Sequence, residues 1–305
     1  MNDIIIIGGG IAGLTAGMYA KRGGMETLLF EKMFVGGQAA TTYSIENYPG
    51  FIEPISGPDF AMRMEEHARK FGLEIFYDEV KEVVVDGKIK KVITDNKEYE
   101  TKTIILAMGA SPKMLGLEKE EQFRGRGVSY CATCDGTFYK DKVTAVVGGG
   151  DTAVEDAMFL AQYASKVYLI HRRDQLRASK ILQDRILAHP KIEILWDTVV
   201  ESIVGEEEVE GITVKNLKTE ERSQLELDGF FIAIGIQPNS ELVKGKIQMS
   251  DDGFVLAGET MATNVPGVFV VGDLRYKQIW QLVTAASDGA VGTLSAQRYI
   301  MENFE

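Results

Sequence analysis

The chain has 305 residues, 33 Lys+Arg against 45 Asp+Glu, and a formal net charge of −12. A length of this order suggests two domains, and the acidic balance argues against a nucleic-acid binder or a protein docked on an anionic membrane surface. Apolar residues make up 45% and charged residues 26%, an ordinary globular mixture that excludes a disordered chain. Two cysteines rule out a disulfide framework and a four-cysteine zinc site.

The first segment, Met-Asn-Asp followed by four isoleucines and Gly8-Gly9-Gly10, lacks the basic region and long apolar run of a signal peptide. The expected compartment is the cytoplasm, where thiols stay reduced unless they are catalytic, and no apolar run is long enough for a membrane span. Ile4 to Ile7 reads as a fully buried strand, Ile11 to Arg22 as a helix and Thr27 to Phe30 as the next strand. This is βαβ order, which implies a parallel sheet covered by helices.

Gly8-x-Gly10-x-x-Gly13 lies between that strand and helix. The first glycine permits a tight turn, the second lets backbone approach a pyrophosphate, and the third lets helix pack on strand. Glu31, 18 residues after Gly13, stands where a carboxylate can accept hydrogen bonds from a ribose diol. Strand-like stretches follow at Glu79 to Asp86 and at Thr103 to Leu106 before Gly109.

The same order returns later. Lys142 to Val147 is a strand, Gly148-x-Gly150-x-x-Ala153 the turn, Asp151 to Tyr163 a helix and Lys166 to Ile170 the next strand. The first glycines of the two motifs are 140 residues apart, so these are two nucleotide-binding units and not a short-period repeat. At the offset where the first unit has Glu31, the second has His171, followed by Arg172, Arg173 and Arg177. An acid at this position favours a free 2′-hydroxyl, whereas cations favour a 2′-phosphate. The first unit should therefore hold an adenosine with a bare ribose, and the second NADPH. A solvated charged face is the ordinary alternative for such arginines.

Gly229 to Ile234 mirrors Thr103 to Leu106. Each ends in Ala-x-Gly with a proline soon after, Pro112 and Pro238, and these segments mark crossings between domains. Gly267 to Val271, Gly272-Asp273 and a helix from about Gln281 to Asn303 return to the first domain. The resulting fold class is α/β with two Rossmann-like dinucleotide-binding domains. Residues 1–112 and 241–305 form the first, and 113–240 an inserted second.

Cys131-Ala132-Thr133-Cys134-Asp135 precedes the second glycine motif. Two cysteines at this spacing form a small reversible ring in which one thiolate attacks and the other resolves the mixed disulfide. Zinc needs four ligands, and none of the three histidines lies near this loop in the sequence. Asp135 is the proton donor or acceptor for the thiolates, or else a turn or cap residue.

Together these stretches resemble the low-molecular-weight, bacterial-type thioredoxin reductases over nearly the whole length. The resemblance is carried by Gly8-Gly9-Gly10-Ile11-Ala12-Gly13, Gly36-Gly37-Gln38, Glu46-Asn47-Tyr48-Pro49-Gly50, Gly125-Arg126-Gly127-Val128, Cys131 to Gly136, Gly148 to Ala153, His171-Arg172-Arg173 with Arg177-Ala178, and Gly272-Asp273. It implies the pyridine nucleotide-disulfide oxidoreductase fold, a homodimer, FAD in the first domain and NADPH in the inserted one. Gln38, Asn47, Asp273 and Gln281 would then serve FAD, together with Gly8, Gly10, Ala12, Gly13, Glu31 and Gly272. Gly148, Gly150, Thr152, Ala153, His171, Arg172, Arg173 and Arg177 would serve NADPH.

The resemblance also implies that Cys134 is the flavin-side thiol and Cys131 the interchange thiol. Electrons would pass from NADPH through FAD and this pair to oxidised thioredoxin. Rotation of the inserted domain would occur about hinges near 109–117 and 235–239. Arg126 is a candidate thioredoxin contact, or a plain surface charge. Three positions depart from the family pattern. Trp280 stands where an arginine precedes Gln281, leaving this position without a cation for the flavin. Met108 replaces a threonine, and Thr137 stands where some relatives carry an aromatic residue. The competing readings are a flavin disulfide reductase with another donor, such as ferredoxin, or another acceptor, and a flavin redox sensor without turnover.

Overall fold

The computed structural model describes residues 1–42 and 44–304. The chain is mixed α/β and divides into two compact units, Met1–Ser111 with Gln237–Glu305, and Pro112–Ile236.

The first unit is built on a seven-stranded sheet. In sheet order the strands are Glu74–Tyr77, Thr27–Glu31, Asn2–Ile7, Glu98–Leu106, Lys90–Thr94 and Val80–Val84, and Val268–Val270 also pairs with Glu98–Leu106. The isoleucine run lies centrally, parallel to a neighbour on each side. It is buried on both faces because successive side chains alternate. Ile4 and Ile6 join a cluster with Leu14, Leu29, Ala296 and Ile300. Ile5 and Ile7 face the opposite cluster, with Phe30, Val83, Val92 and Val268.

The helix Ile11–Arg22 packs on the long C-terminal helix Leu282–Phe304 through small residues. A Cβ on Gly289 would lie 2.3 Å from the Ala12 carbonyl oxygen, and the Thr293 hydroxyl donates to the Ala16 carbonyl at 3.0 Å. A further helix, Gly57–Lys70, starts at Ser56, whose hydroxyl accepts from the Asp59 amide, with Pro58 in its first turn.

The second unit carries a five-stranded parallel sheet, in order Ile192–Leu195, Lys166–Ile170, Val143–Gly148, Gly229–Ala233 and Val128–Ser129. One face, with Val146, Leu169 and Phe231, packs on Val154, Ala157 and Leu160 of the helix Asp151–Leu160. The other face, with Ala145, Ile170, Phe230 and Ile232, is covered by Ile203, Ile212 and Val214. Those three come from an antiparallel sheet, Thr198–Val204, Gly211–Asn216 and Arg222–Glu226. The nucleotide-motif helix ends at Leu160, three residues short of the expected Tyr163, and continues as a turn. No helix among the described residues is long and apolar enough to cross a membrane.

Candidate active site

Both glycine motifs sit at the carboxyl end of a central parallel strand, where open α/β sheets bind ligands. In the first unit Gly8 has φ +106°, and a Cβ there would lie 2.4 Å from the Ala107 carbonyl oxygen. Only glycine tolerates that conformation beside neighbouring backbone. A Cβ on Gly10 would meet nothing within 4 Å. Gly10 faces a cavity of about 270 Å³, lined also by Gly8, Ala12, Glu31, Gln38, Gly272 and Asp273.

Glu31 is held in place by its own loop: one carboxylate oxygen accepts from the Gly9 amide at 2.8 Å, the other from the Met33 amide at 3.0 Å. Gly13 is not part of the cavity wall. A Cβ there would lie 1.9 Å from the Gly8 carbonyl oxygen, so it serves helix–strand approach. Asn47 and Gln281 lie outside the cavity lining and bond to each other, Asn47 Nδ2 donating to Gln281 Oε1 at 3.1 Å.

Asp273 is one of the polar groups that line this cavity. Its Oδ1 is buried and has no hydrogen-bond partner among the described residues. The Lys277 ammonium stands 3.2 Å from that oxygen, close enough to pair in charge but outside hydrogen-bond geometry, and also 3.2 Å from Asp288 Oδ2. Asp288 in turn pairs with Arg275 at 3.1 Å and accepts from the Gly272 amide. Burial pushes the Asp273 carboxyl above its ordinary range, and Lys277 works against that rise. The Trp280 ring lies against Phe254, with its indole nitrogen buried and unpartnered among the described residues. Trp280 stands where the family pattern has an arginine; Arg275 and Lys277, both earlier in the loop, pair with Asp288.

The second unit has its own cavity, about 400 Å³, lined by Gly148, Gly149, His171, Arg172 and Arg177 together with Leu115, Leu117 and Val200. Arg172, Arg173 and Arg177 are all exposed. None of their guanidinium groups has a carboxylate partner among the described residues, in a chain of net charge −12. Arg173, Gly150, Thr152 and Ala153 do not line the cavity. His171 is buried, and its Nε2 lies 2.9 Å from the Gln175 carbonyl oxygen. A Cβ on Gly149 would lie 2.1 Å from the imidazole. Burial holds the His171 pKa below its ordinary value, so at neutral pH it is an uncharged wedge beneath the glycine loop.

Cys131 and Cys134 form a disulfide with Cα atoms 5.3 Å apart. Ala132 between them is buried against Ala153, Ala157 and Leu160, which seats the dithiol turn on the nucleotide-motif helix. The Cys131 carbonyl accepts from the amides of Cys134 and Asp135. Ser129, a residue the sequence did not single out, accepts from the Cys131 amide at 3.1 Å and donates to Asp135 Oδ2 at 2.6 Å. Asp135 Oδ1 is buried without a partner among the described residues. Burial raises the Asp135 pKa, while the Ser129 hydrogen bond and the nearby Arg124 charge limit the rise.

Two glycine-motif cavities, one acidic at the ribose position and one basic, and a Cys-x-x-Cys disulfide define an oxidoreductase of the dinucleotide-and-dithiol class. Residues 2–290 match the model of the pyridine nucleotide-disulphide oxidoreductase family. The chain is 45% identical over 309 residues to the thioredoxin reductase of Peptoclostridium acidaminophilum, covering 99% of this chain and 98% of that one. It is 45% identical over 302 residues to that of Bacillus subtilis (strain 168), covering 98% and 95%. The solved thioredoxin reductase of Streptococcus pyogenes MGAS5005 superposes with a TM-score of 0.95 at 43% identity, covering 99% of each chain. The chain belongs to the pyridine nucleotide-disulphide oxidoreductases and, within them, to the thioredoxin reductases.

Proposed function

We propose that this chain is a cytoplasmic, homodimeric NADPH-dependent thioredoxin-disulfide reductase that binds FAD in the first unit and NADPH in the second. The observation that carries the reading is the Cys131–Cys134 disulfide in the unit whose own cavity is lined by the unpaired Arg172 and Arg177. The first cavity suits FAD in its donor and acceptor set. The opening at Gly10, the fixed carboxylate of Glu31 and the unsatisfied Asp273 Oδ1 match a pyrophosphate, a ribose diol and a polyol hydroxyl respectively.

When bound, FAD supplies a two-electron relay between a pyridine nucleotide and a disulfide. The rest of the chemistry is carried by the chain's own side chains. Arg172 and Arg177 bind and orient the 2′-phosphate, and His171 keeps the Gly149 turn in place. Two electrons and two protons convert the Cys131–Cys134 disulfide to a dithiol. The Cys131 thiolate then attacks a sulfur of oxidised thioredoxin, forming a mixed disulfide and expelling one thioredoxin thiolate. Cys134 attacks Cys131 in that bond, releasing the second thiolate and restoring the disulfide. Asp135, protonated more readily than a free carboxyl, holds the proton that quenches a departing thiolate.

Only two cysteines exist, both in this pair. In the reducing cytoplasm a disulfide of this kind is catalytic. Anaerobic titration tests the reading: NADPH should bleach a bound flavin stoichiometrically, and NADH should do so poorly. Cys134→Ser should keep flavin reduction by NADPH and stop electron delivery to thioredoxin. A colourless protein that takes up no FAD, or undiminished delivery by Cys134→Ser, would remove the proposal. Equal bleaching by a reduced ferredoxin and none by NADPH would favour the other donor.

A further inference from the structure

A fully buried acid in the second unit has no part in the scheme above. Glu120 is 0% exposed. Its Oε1 accepts from the Leu115 amide at 3.0 Å and from the Tyr130 hydroxyl at 2.7 Å; its Oε2 accepts from the amides of Gly116 at 2.8 Å and Leu117 at 3.0 Å. Four donors fill the lone-pair sites of a carboxylate. Three of them are consecutive amides of the segment whose Leu115 and Leu117 side chains line the second cavity. The fourth belongs to Tyr130, the residue bonded directly to Cys131. The Tyr130 ring is held on its other side by Arg124, whose guanidinium carbon lies 5.2 Å from the ring centroid. Burial and the neighbouring Glu120 keep the phenol protonated, and so a donor.

A saturated buried carboxylate is rarely the most stable filling for its volume. What this one does is join two places: a wall of the nucleotide cavity and the peptide that enters the dithiol. We propose that Glu120 and Tyr130 are positioning residues that couple occupancy of the nucleotide cavity to the redox equilibrium of Cys131–Cys134. A ligand resting on Leu115 and Leu117 fixes the three amides, the amides fix the carboxylate, and the carboxylate fixes Tyr130 and the Cys131 peptide. Opening the disulfide frees that peptide, so each event changes the free energy of the other, equally in both directions. The inference rests on the nucleotide reading of this cavity.

The test uses the flavin-loaded enzyme in anaerobic buffers of reduced and oxidised dithiothreitol. Reduction of Cys131–Cys134 consumes one dithiothreitol, which becomes its cyclic disulfide, and leaves two cysteine thiols. Maleimide labelling and mass spectrometry count those thiols independently of the flavin. The titration is run with and without adenosine 2′,5′-bisphosphate, a redox-silent probe that carries the 2′-phosphate. In the wild type the probe should move the reduced-to-oxidised ratio at half-reduction by about fivefold or more, the lower range of ordinary coupling between sites.

Tyr130→Phe keeps the ring under Arg124 and removes only the hydroxyl. It should bind the probe normally by calorimetry yet lose most of that displacement. Glu120→Gln should lose it as well, while Tyr130→Trp, which restores an N–H donor, should recover part of it. An unmoved wild-type ratio with the probe bound, or an undiminished displacement in Tyr130→Phe, would overturn the coupling alone. Failure of the wild type to bind the probe would overturn the nucleotide reading and the coupling with it.

Discussion

The Ser129 hydroxyl donates to the Asp135 carboxylate at 2.6 Å while accepting from the Cys131 amide at 3.1 Å. One small side chain thus ties the Asp135 carboxyl, the proposed proton carrier, to the Cys131 backbone. Removing the hydroxyl takes away a bond that lowers the Asp135 pKa and leaves burial to raise it further. The limb of the pH profile that reports loss of the Asp135 proton should therefore move to higher pH in Ser129→Ala, with Ser129→Thr restoring it. Asp135→Asn should abolish that limb and slow thioredoxin reduction by about 10²-fold, the ordinary worth of a positioned acid. Steady-state kcat across pH checks both; an unshifted limb in Ser129→Ala would show that Ser129 only shapes the turn.

Arg172, Arg173 and Arg177 lie within six residues of one another but are not equivalent in place. Arg172 and Arg177 line the cavity and Arg173 does not. Charge-assisted bonds to phosphate are worth about 1.5–3 kcal/mol each, or ten- to hundredfold in affinity. Arg172→Ala and Arg177→Ala should each raise KM for NADPH by about that factor and leave KM for NADH nearly unchanged. Arg173→Ala should affect NADPH least of the three. Initial-rate measurements with both nucleotides decide it, and an equal rise for NADH would point to general loss of the fold.

Asp273 lines the first cavity and pairs with Lys277, which lies behind the lining. Asp273→Ala removes a buried acceptor and leaves Lys277 paired with Asp288 alone. The protein should purify with little flavin, and its Kd for FAD should rise about ten- to hundredfold. Lys277→Met should do comparable damage by a different route, because half-buried Asp273 and buried Asp288 then lose the ammonium between them and only Arg275 remains beside them. Flavin absorbance per chain and a fluorescence titration with FAD provide the measurement.

Local patterns were readable from the chain, whereas long-range partners were not. The isoleucine run, both glycine turns and the Cys-x-x-Cys pair declare themselves because each is a continuous stretch under one constraint. The 18-residue offset located His171, but only the packed structure shows its ring lying beneath Gly149 and bonded to Gln175. Ser129, Glu120 and Asp288 were invisible: each is a common polar residue whose meaning comes from donors brought together by irregular turns. The sheet Thr198–Val204, Gly211–Asn216, Arg222–Glu226 was equally silent, since its last strand is almost wholly exposed and carries no apolar alternation.

Asp156, within the helix Asp151–Leu160, has its pKa pushed up to about 7, first by burial and then by the Glu155 charge. A carboxyl raised in the folded state binds its proton more tightly there than in the unfolded chain. Its contribution to stability is fully present below the unfolded value of 3.8 and is lost as pH rises through about 7. Asp156→Asn cannot ionise and escapes the loss. Its melting temperature should match the wild type near pH 4 and exceed it above neutrality by about 2–4 °C. Calorimetry at both ends of that window checks the sign; a gain that is equal at the two pH values would exclude titration as the cause.

The C-terminal helix Leu282–Phe304 carries an apolar stripe that the chain itself does not cover. Val283, Leu294 and Met301 are 43%, 56% and 56% exposed. They are spaced by 11 and 7 residues, about three and two helical turns, which sets them on one line along the helix. In the proposed homodimer these side chains would lie against the partner subunit. Light scattering should give the wild type a mass near twice the chain's 33.7 kDa. Leu294→Lys places a charge at the middle of the stripe and should shift the mass toward one chain at micromolar concentration. Retention of the doubled mass in Leu294→Lys and in Met301→Lys alike would place the dimer contact on another surface.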